Sequence, residues 1–411
     1  MSASVAGADF WATPGLTEVL RLLNRDGEEA RVVGGAVRNT LLGLPVTDVD
    51  IATTALPQEV AARAAAAGLK PVPTGIAHGT VTVVAHHHAF EVTSLREDTE
   101  TDGRRAVVRF GRSWLHDAQR RDFTLNALYA KPTGEVVDLV GGLEDLRARR
   151  VRFIGDAQAR IREDYLRILR LFRFHAAYGA GEVDKAALTA CERLRAGLLG
   201  LSRERVRAEM MKLLLAPRAA PTLATMADTG LLQMLLAGVG AVPAFTRLAA
   251  LEAETGVAPA AVRRLAALAL WGKDDVERLR DRLRLSNGEK ARLRALAGPV
   301  PLLPDSRAVR GFLYGVGVEA GLDRVLLAAA RRRDGISSAI ATGVAEVARS
   351  WTVPKVPFGA ADLMALGMSP GPKLGAALTR AEEAWARADF PDDAPSVAAL
   401  VQAAARSGAD G

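Results

Sequence analysis

Apolar residues recur at helical spacing near the start of the chain. Leu16, Val19, Leu20 and Leu23 fall on one face of residues 13–24, with Thr13 placed as a cap and Pro14 at the first helical position. The period then shortens. Residues 31–35 (RVVGG) read as a strand running into a glycine turn, and residues 37–43 as a short helix ended by Gly43. The segments DVDIA, TVTVVA and FEVTSL, near 48, 80 and 90, are β-branched or alternating and predict a small mixed sheet. From about 141 onward strand signals almost vanish, and Leu, Ala, Arg and Glu follow a helical period to the end. The pattern predicts an α+β protein: an N-terminal portion with a small mixed sheet, then an all-α remainder.

Proline-rich segments at 299–304 and 353–359 read as joints between helical modules, and Ser286 with Glu289 has capping-box spacing. Boundaries near 140, 215 and 350 divide the chain into 1–140, 141–215, 216–350 and 351–411. At 411 residues with 49% hydrophobic content, each part can own a core.

The formal charge of +7 suits a polyanionic partner, because arginine forks onto phosphate oxygens. Genomic base bias alone also enriches arginine. Cys191 is the only cysteine, which excludes an internal disulfide or a cysteine-based zinc site within one chain and agrees with a reducing cytoplasm. A basic stretch leading an apolar core is missing at the N-terminus, and no run approaches the ~20 apolar residues of a membrane span, so a cytoplasmic protein is expected.

The first chemical constellation spans Gly34 to Thr53. Asp48 and Asp50 lie two apart on a predicted strand, so the pleat turns both carboxylates to one face. Such a pair suits Mg²⁺, which takes a few carboxylates and completes its shell with substrate phosphates. Gly34 and Gly35 let backbone amides approach a triphosphate, and Arg38 adds positive charge beside them. Either feature alone is common: a pair of glycines in a turn is usually just a turn. Glu91 is a candidate third metal carboxylate, or else a solvated strand residue. His86, His87 and His88 look metal-binding, yet consecutive strand residues alternate faces and the trio sits where a hairpin turn is expected.

Residues 120–130 (RRDFTLNALYA) join Arg121 and Asp122 to a core stretch of Phe123, Leu125 and Leu128. Arg121 can bind phosphates, and Asp122 can accept from a ribose hydroxyl; a simple surface salt bridge is the plainer alternative. Residues 162–174 predict a helix with an apolar stripe of Ile161, Tyr165, Ile168, Leu169 and Phe172. Asp164 and Arg167 are then one turn apart on another face, with Arg170 nearby. A carboxylate beside a guanidinium matches the edge of cytosine or adenine, where an amine adjoins ring acceptors; an ordinary intrahelical ion pair is the alternative.

The ordered set GGAVR, DVD, RRDFTLNA, EDYLR and LSRERVRAE resembles the class II tRNA nucleotidyltransferase family, which includes CCA-adding enzymes and bacterial poly(A) polymerases. The likeness covers roughly 30–215, and residues 358–385 are similar to the C-terminal part of some bacterial members. It implies a nucleotidyltransferase head followed by helical neck, body and tail. Carried over by motif, Asp48 and Asp50 would be the catalytic metal-binding pair, and Gly34, Gly35 and Arg38 would contact the triphosphate. Arg121, Asp122 and Asn126 would hold phosphate and sugar, and Asp164 with Arg167 would read the base, Arg170 lying nearby. Ser202, Glu204, Arg205 and Glu209 match the neck-helix motif that supports base reading. One departure is Asn39, where the family usually has aspartate. Residues 96–119, with Gly103 and Gly111, fall where the family has a mobile loop used in switching from C to A addition.

The resemblance implies that the 3′ hydroxyl of tRNA attacks the α-phosphate of CTP twice and then of ATP, with Mg²⁺ as cofactor. Arginines of the helical part such as Arg203, Arg205, Arg207, Arg307 and Arg310 would follow the RNA backbone. The alternatives are poly(A) addition, a partial C- or A-adding activity, or a noncatalytic RNA-binding protein. An added phosphohydrolase domain is not expected, because all six histidines lie at or before His175.

Overall fold

The computed structural model describes residues 3–76, 79–98, 108–333 and 335–406. Alternation builds its sheet: in TVTVVA, Val81, Val83 and Ala85 are buried while their neighbours are only partly covered. The strands are β1 (Ala30–Val33), β2 (Asp50–Thr53), β3 (Lys70–Gly75), β4 (Thr80–Ala85), β5 (His88–Ser94), β6 (Arg96–Asp98), β7 (Val108–Phe110), β8 (Leu128–Ala130) and β9 (Val136–Asp138). Seven of them form one sheet in the order β3-β4-β5-β2-β1-β8-β9, while β6 and β7 pair separately. The sheet is mixed, as expected: β2 and β5 run parallel and the other neighbours antiparallel. His86 and His87 take positive φ values of 48° and 67° in the β4–β5 hairpin, so the histidine run is a tight turn.

The chain separates into two compact units: Met1–Glu209 with Ala216–Thr222, and Met210–Leu215 with Leu223–Gly411. In the first, helices α1 (Leu16–Leu23), α2 (Gly35–Leu41), α3 (Pro57–Ala66) and α4 (Trp114–Arg120) interleave with the strands, and α5 (Gly142–Arg147), α6 (Ala157–Glu163), α7 (Leu166–Tyr178) and α8 (Lys185–Leu194) follow. Helix α9 (Arg203–Leu215) carries the chain to the boundary between units. The α1 stripe of Leu16, Val19, Leu20 and Leu23 is buried as its spacing predicted. The helix starts later than expected, however. Gly15 is the N-cap with φ 90°, and a Cβ there would come within 2.6 Å of Ala85 Cβ, so Thr13 and Pro14 belong to the preceding turn.

The second unit is helical throughout its described residues. Its helices are the end of α9, the later part of α10 (Ala219–Asp228), then α11 (Leu231–Leu236), α12 (Val242–Thr255), α13 (Ala261–Ala269), α14 (Asp274–Leu283), α15 (Asn287–Leu296), α16 (Ser306–Val316), α17 (Val318–Arg331), α18 (Ser338–Ser350), α19 (Ala360–Ala365), α20 (Pro372–Arg387) and α21 (Ala394–Arg406). The Ser286–Glu289 capping box forms at the start of α15, and both proline-rich joints lie outside helices. Helices α12, α13 and α17 pack around a buried ion network in which Arg263 meets Glu252 and Asp323, and Arg264 meets Glu252, each at 2.7 Å. Near the C-terminus, Leu363, Leu374, Ala377 and Val401 make a smaller core. No described helix is long and apolar enough to cross a membrane.

Candidate active site

The site is built where β1 gives out. Val33 is its last residue, paired with Asp50 on one side and Tyr129 on the other, and Gly34 then turns the chain into α2 with φ 68° and ψ −111°. That conformation is closed to side chains with a Cβ, so glycine is required by the backbone itself. The β1 pairing ends at Asp50, and Asp48 lies in the loop before β2 and not on the strand as expected. The expected alternation survives: Asp48 and Asp50 are exposed and Val49 between them is buried.

The parallel pairing of Ile51 with Val92 brings Asp50 alongside Glu91 at the neighbouring strand position. Although Asp50 keeps open surface, protein crowded around its carboxyl pushes it above the ordinary carboxylate value, and the Glu91 and Asp48 carboxylates add to this; Arg121 opposes them. Acidic charge built from hard oxygen donors suits a divalent cation such as Mg²⁺. The three carboxylates do not close on a single point: no group of three potential ligands forms a metal cluster among the described residues. Beside Asp48 a cavity of about 680 Å³ opens between residues 7–10, the 43–49 loop and residues 88–90, ample for part of a substrate.

Arg121 acts on Asp50 and is held from behind. Its Nε donates to Asp117 at 3.1 Å and to the Tyr129 hydroxyl at 3.2 Å, and its Nη2 lies 3.0 Å from Asp117. Its Nη1 lies beside Gly34, 4.0 Å from where a Cβ would be. Burial works against the guanidinium charge, but Asp117 and Tyr129 outweigh it and raise the pKa, so Arg121 is a fixed cation beside Gly34 and Asp50. Asp117 and Tyr129 escaped notice in the sequence, although the i, i+4 spacing of Asp117 and Arg121 is a usable signal.

Other expected contacts lead inward. Gly34 N–H donates to Leu128 O at 3.0 Å, and Gly35 is the first of the α2 backbone donors, with Ala36 and Val37, that have no intrahelical acceptor. Arg38 does not face the cleft. It is buried, donating to Asn126 Oδ1 at 2.6 Å, to the Tyr178 hydroxyl at 2.8 Å and to Asn39 Oδ1 at 2.8 and 3.1 Å, with its guanidinium 4.1 Å from the Tyr178 ring centroid. Asp122 is likewise internal. Its Oδ1 accepts from Phe123 N and Asn126 Nδ2, and its Oδ2 from Arg170 Nε, with Arg170 Nη2 2.6 Å away, so most of its acceptor capacity is engaged inside the protein. Arg170 and Arg173 both meet Glu209.

The helix expected over 162–174 is broken. Helix α6 ends at Glu163, Asp164 is extended with φ −154°, and α7 begins at Leu166. Asp164 itself causes the break, since its Oδ1 accepts from Leu166 N at 3.1 Å and starts the new helix. Its Oδ2 accepts from Arg205 at 2.6 Å. Arg167 instead pairs with Glu163 and donates to Arg160 O at 2.9 Å, so the Asp164–Arg167 pair does not form. Asp164 retains one unused lone pair on each oxygen. The stripe largely holds: Ile161, Ile168, Leu169 and Phe172 are buried, and Tyr165 is partly covered. Within the segment 96–119, residues 99–107 with Gly103 lie outside the described residues.

Residues 30–152 match the family described as "Poly A polymerase head domain", and residues 182–241 match "Probable RNA and SrmB- binding site of polymerase A". The chain is 34% identical to the zebrafish (Danio rerio) mitochondrial CCA tRNA nucleotidyltransferase 1, over 92% of this chain and 88% of that protein. It is 45% identical over 219 residues to the CCA-adding enzyme of Geobacillus thermodenitrificans, about half of each chain. The Bacillus stearothermophilus CCA-adding enzyme solved with CTP superposes with a TM-score of 0.70 at 28% identity, covering 96% of this chain and 98% of that one. A likeness that runs along nearly the whole of both chains, in sequence and in fold, makes this protein a member of the class II tRNA nucleotidyltransferases, the family of the CCA-adding enzymes.

Proposed function

We propose that this protein rebuilds the 3′ end of tRNA, adding C, C and A in turn from CTP and ATP with release of pyrophosphate. The observation that carries the reading is the likeness over nearly the full length to enzymes named for that activity. In this reading Asp48 and Asp50, with Glu91 beside them, hold the metal ion on which the family depends, with Mg²⁺ as its identity. Bound there, Mg²⁺ supplies charge neutralisation and alignment of the triphosphate.

The remaining work falls to this chain's own groups. Arg121 and the Gly35 amide bind phosphate oxygens, where preset positive charge favours the charge that develops as the phosphoryl group transfers. Arg38, Asn126, Asp122 and Arg170 form an internal chain that positions the glycine turn against α7, a supporting role for groups first expected to touch the nucleotide. Asp164 reads the base by accepting from the exocyclic amine of cytosine or adenine through its unused lone pairs. Guanine and uracil place a carbonyl there and would leave that acceptor unpaired. Arg205 orients Asp164, and Arg167 shifts from Glu163 to the base when nucleotide is present. The divisions 1–140, 141–215, 216–350 and 351–411 then act as head, neck, body and tail in a cytoplasmic enzyme.

The test is incubation of the purified protein and Mg²⁺ with tRNA lacking its CCA end, supplying CTP, ATP or both, followed by sequencing of the 3′ ends. CTP alone should yield CC, and both nucleotides CCA. Long A tails or a single added residue would move the assignment to the sibling activities, and no transfer would leave an RNA-binding protein.

A further inference from the structure

Trp271 sits on the turn between α13 and α14 with half of its surface open to solvent. Its turn is rigid, because Trp271 N and Gly272 N both donate to Asp275 Oδ2, at 2.6 and 2.8 Å. Two guanidiniums lie over the indole: the Cζ of Arg331 is 5.2 Å and that of Arg333 5.6 Å from the ring centroid. A third, Arg324, lies across Gly298, where an added Cβ would come within 2.4–2.7 Å of its guanidinium. Together they line a pocket of about 270 Å³ that has no acidic residue among the described residues of its wall.

Among the described residues the cations are oriented but not neutralised. Arg324 and Arg331 each donate to a backbone carbonyl, Ala295 O and Ala266 O, both at 2.5 Å, and Arg331 Nε is buried without an acceptor. Among the described residues no carboxylate pairs with Arg324, Arg331 or Arg333. Asp275 favours the Arg331 charge from nearby, but it is committed to Arg278 and the two turn amides. Burial first, and then the Arg333 charge, lower the Arg331 pKa to about 10 against the opposing pull of Asp275. A helix C-terminus attracts cations by itself. That attraction explains neither an exposed tryptophan beneath them nor a glycine that makes room for a third.

We propose that Trp271, Arg324, Arg331 and Arg333 form a binding site for a phosphodiester of the RNA substrate. Guanidiniums laid against an aromatic face keep their N–H edges outward, the arrangement that forks onto phosphate. The pocket is smaller than the ~300 Å³ from which sites for whole small molecules begin, so it takes a segment of a longer polyanion and not a free nucleotide. The site rests on the reading of tRNA as substrate.

The experiment measures binding of tRNA lacking CCA across a salt series for wild type, Arg333→Ala, Arg333→Lys, Trp271→Ala and Trp271→Phe, with CCA addition by the wild type assayed in parallel. Arg333 and Trp271 are chosen because both are exposed; matching melting curves establish that the variants fold. Arg333→Ala should weaken binding severalfold and reduce the slope of log K against log salt by about 0.7–0.9, the value of one phosphate contact. Arg333→Lys should keep the slope and lose part of the affinity. Trp271→Ala should weaken binding although it removes no charge, and Trp271→Phe should restore most of it. Wild-type affinity and slope in both alanine variants, with the wild type adding CCA, would overturn the site alone. Failure of the wild type to add CCA would overturn the substrate reading instead.

Discussion

Asp122 receives two nitrogens of Arg170 on one oxygen, Nε at 2.7 Å and Nη2 at 2.6 Å, linking the loop after α4 to the middle of α7. Burial raises the pKa of Asp122, but the Arg170 charge and the Asn126 and Phe123 hydrogen bonds outweigh it and hold it below the ordinary 3.8. Its contribution to stability is therefore complete above about pH 4 and is lost as pH falls through the depressed native value. Asp122→Asn should cost about 1–3 kcal/mol at neutral pH, because it removes the nearer of the two carboxylates that meet the Arg170 guanidinium and leaves only Glu209 at 3.8 Å. Urea unfolding should show that deficit shrinking as pH falls below 4.

Asp50→Ala should abolish nucleotide incorporation and leave tRNA affinity within about twofold, since the change removes one carboxylate and no phosphate-binding cation. Chelation of divalent ions should likewise stop the wild type, and added Mg²⁺ should restore it. Incorporation assays paired with filter binding check both; turnover by the alanine variant would remove Asp50 from the metal site.

Asn39 joins Arg38 to the loop that carries Asp48: its Oδ1 accepts from Arg38, and its Nδ2 donates to Pro45 O at 2.8 Å. Aspartate, the residue usual in the family, keeps the first contact and cannot make the second. Asn39→Asp should lower kcat by about fivefold with little change in KM for CTP, the equivalent of one ordinary hydrogen bond lost from the loop. Asn39→Ala strands buried N–H groups of Arg38 and should also lower stability by about 1–3 kcal/mol. Steady-state kinetics and thermal melts separate the two effects.

In the helical unit Glu252 is buried between Arg263 and Arg264 and bonded to both. Glu252→Ala should destabilise that unit by about 3–5 kcal/mol, because two buried guanidiniums lose their shared counterion. A melting transition shifted downward would report it, whereas an unchanged one would mean that Asp323 and the backbone carbonyls suffice.

Local chemistry was legible in the sequence. The stripe of α1, the alternation of β4, the Ser286 cap and the histidine hairpin each depend on residues within one or two turns of each other, where spacing alone decides what can face what. Residue type also marked Asp50, Gly34 and Arg121 as chemically special. The partner of each charge was a different matter. Arg38 and Arg121 both adjoin the glycine turn, yet Arg38 turns inward to Asn126, 88 positions away, and to Tyr178, 140 away, while Arg121 is braced by Asp117 and acts on Asp50. Asp164 looked like a helical residue beside Arg167 until Arg205, from 41 positions on, and the Leu166 amide claimed its two oxygens and broke the helix. Helical and strand periodicity follow from local backbone geometry, which the order of residues sets directly. Which guanidinium meets which carboxylate depends on distant segments that packing alone brings within hydrogen-bonding reach, so only the tertiary structure decides it.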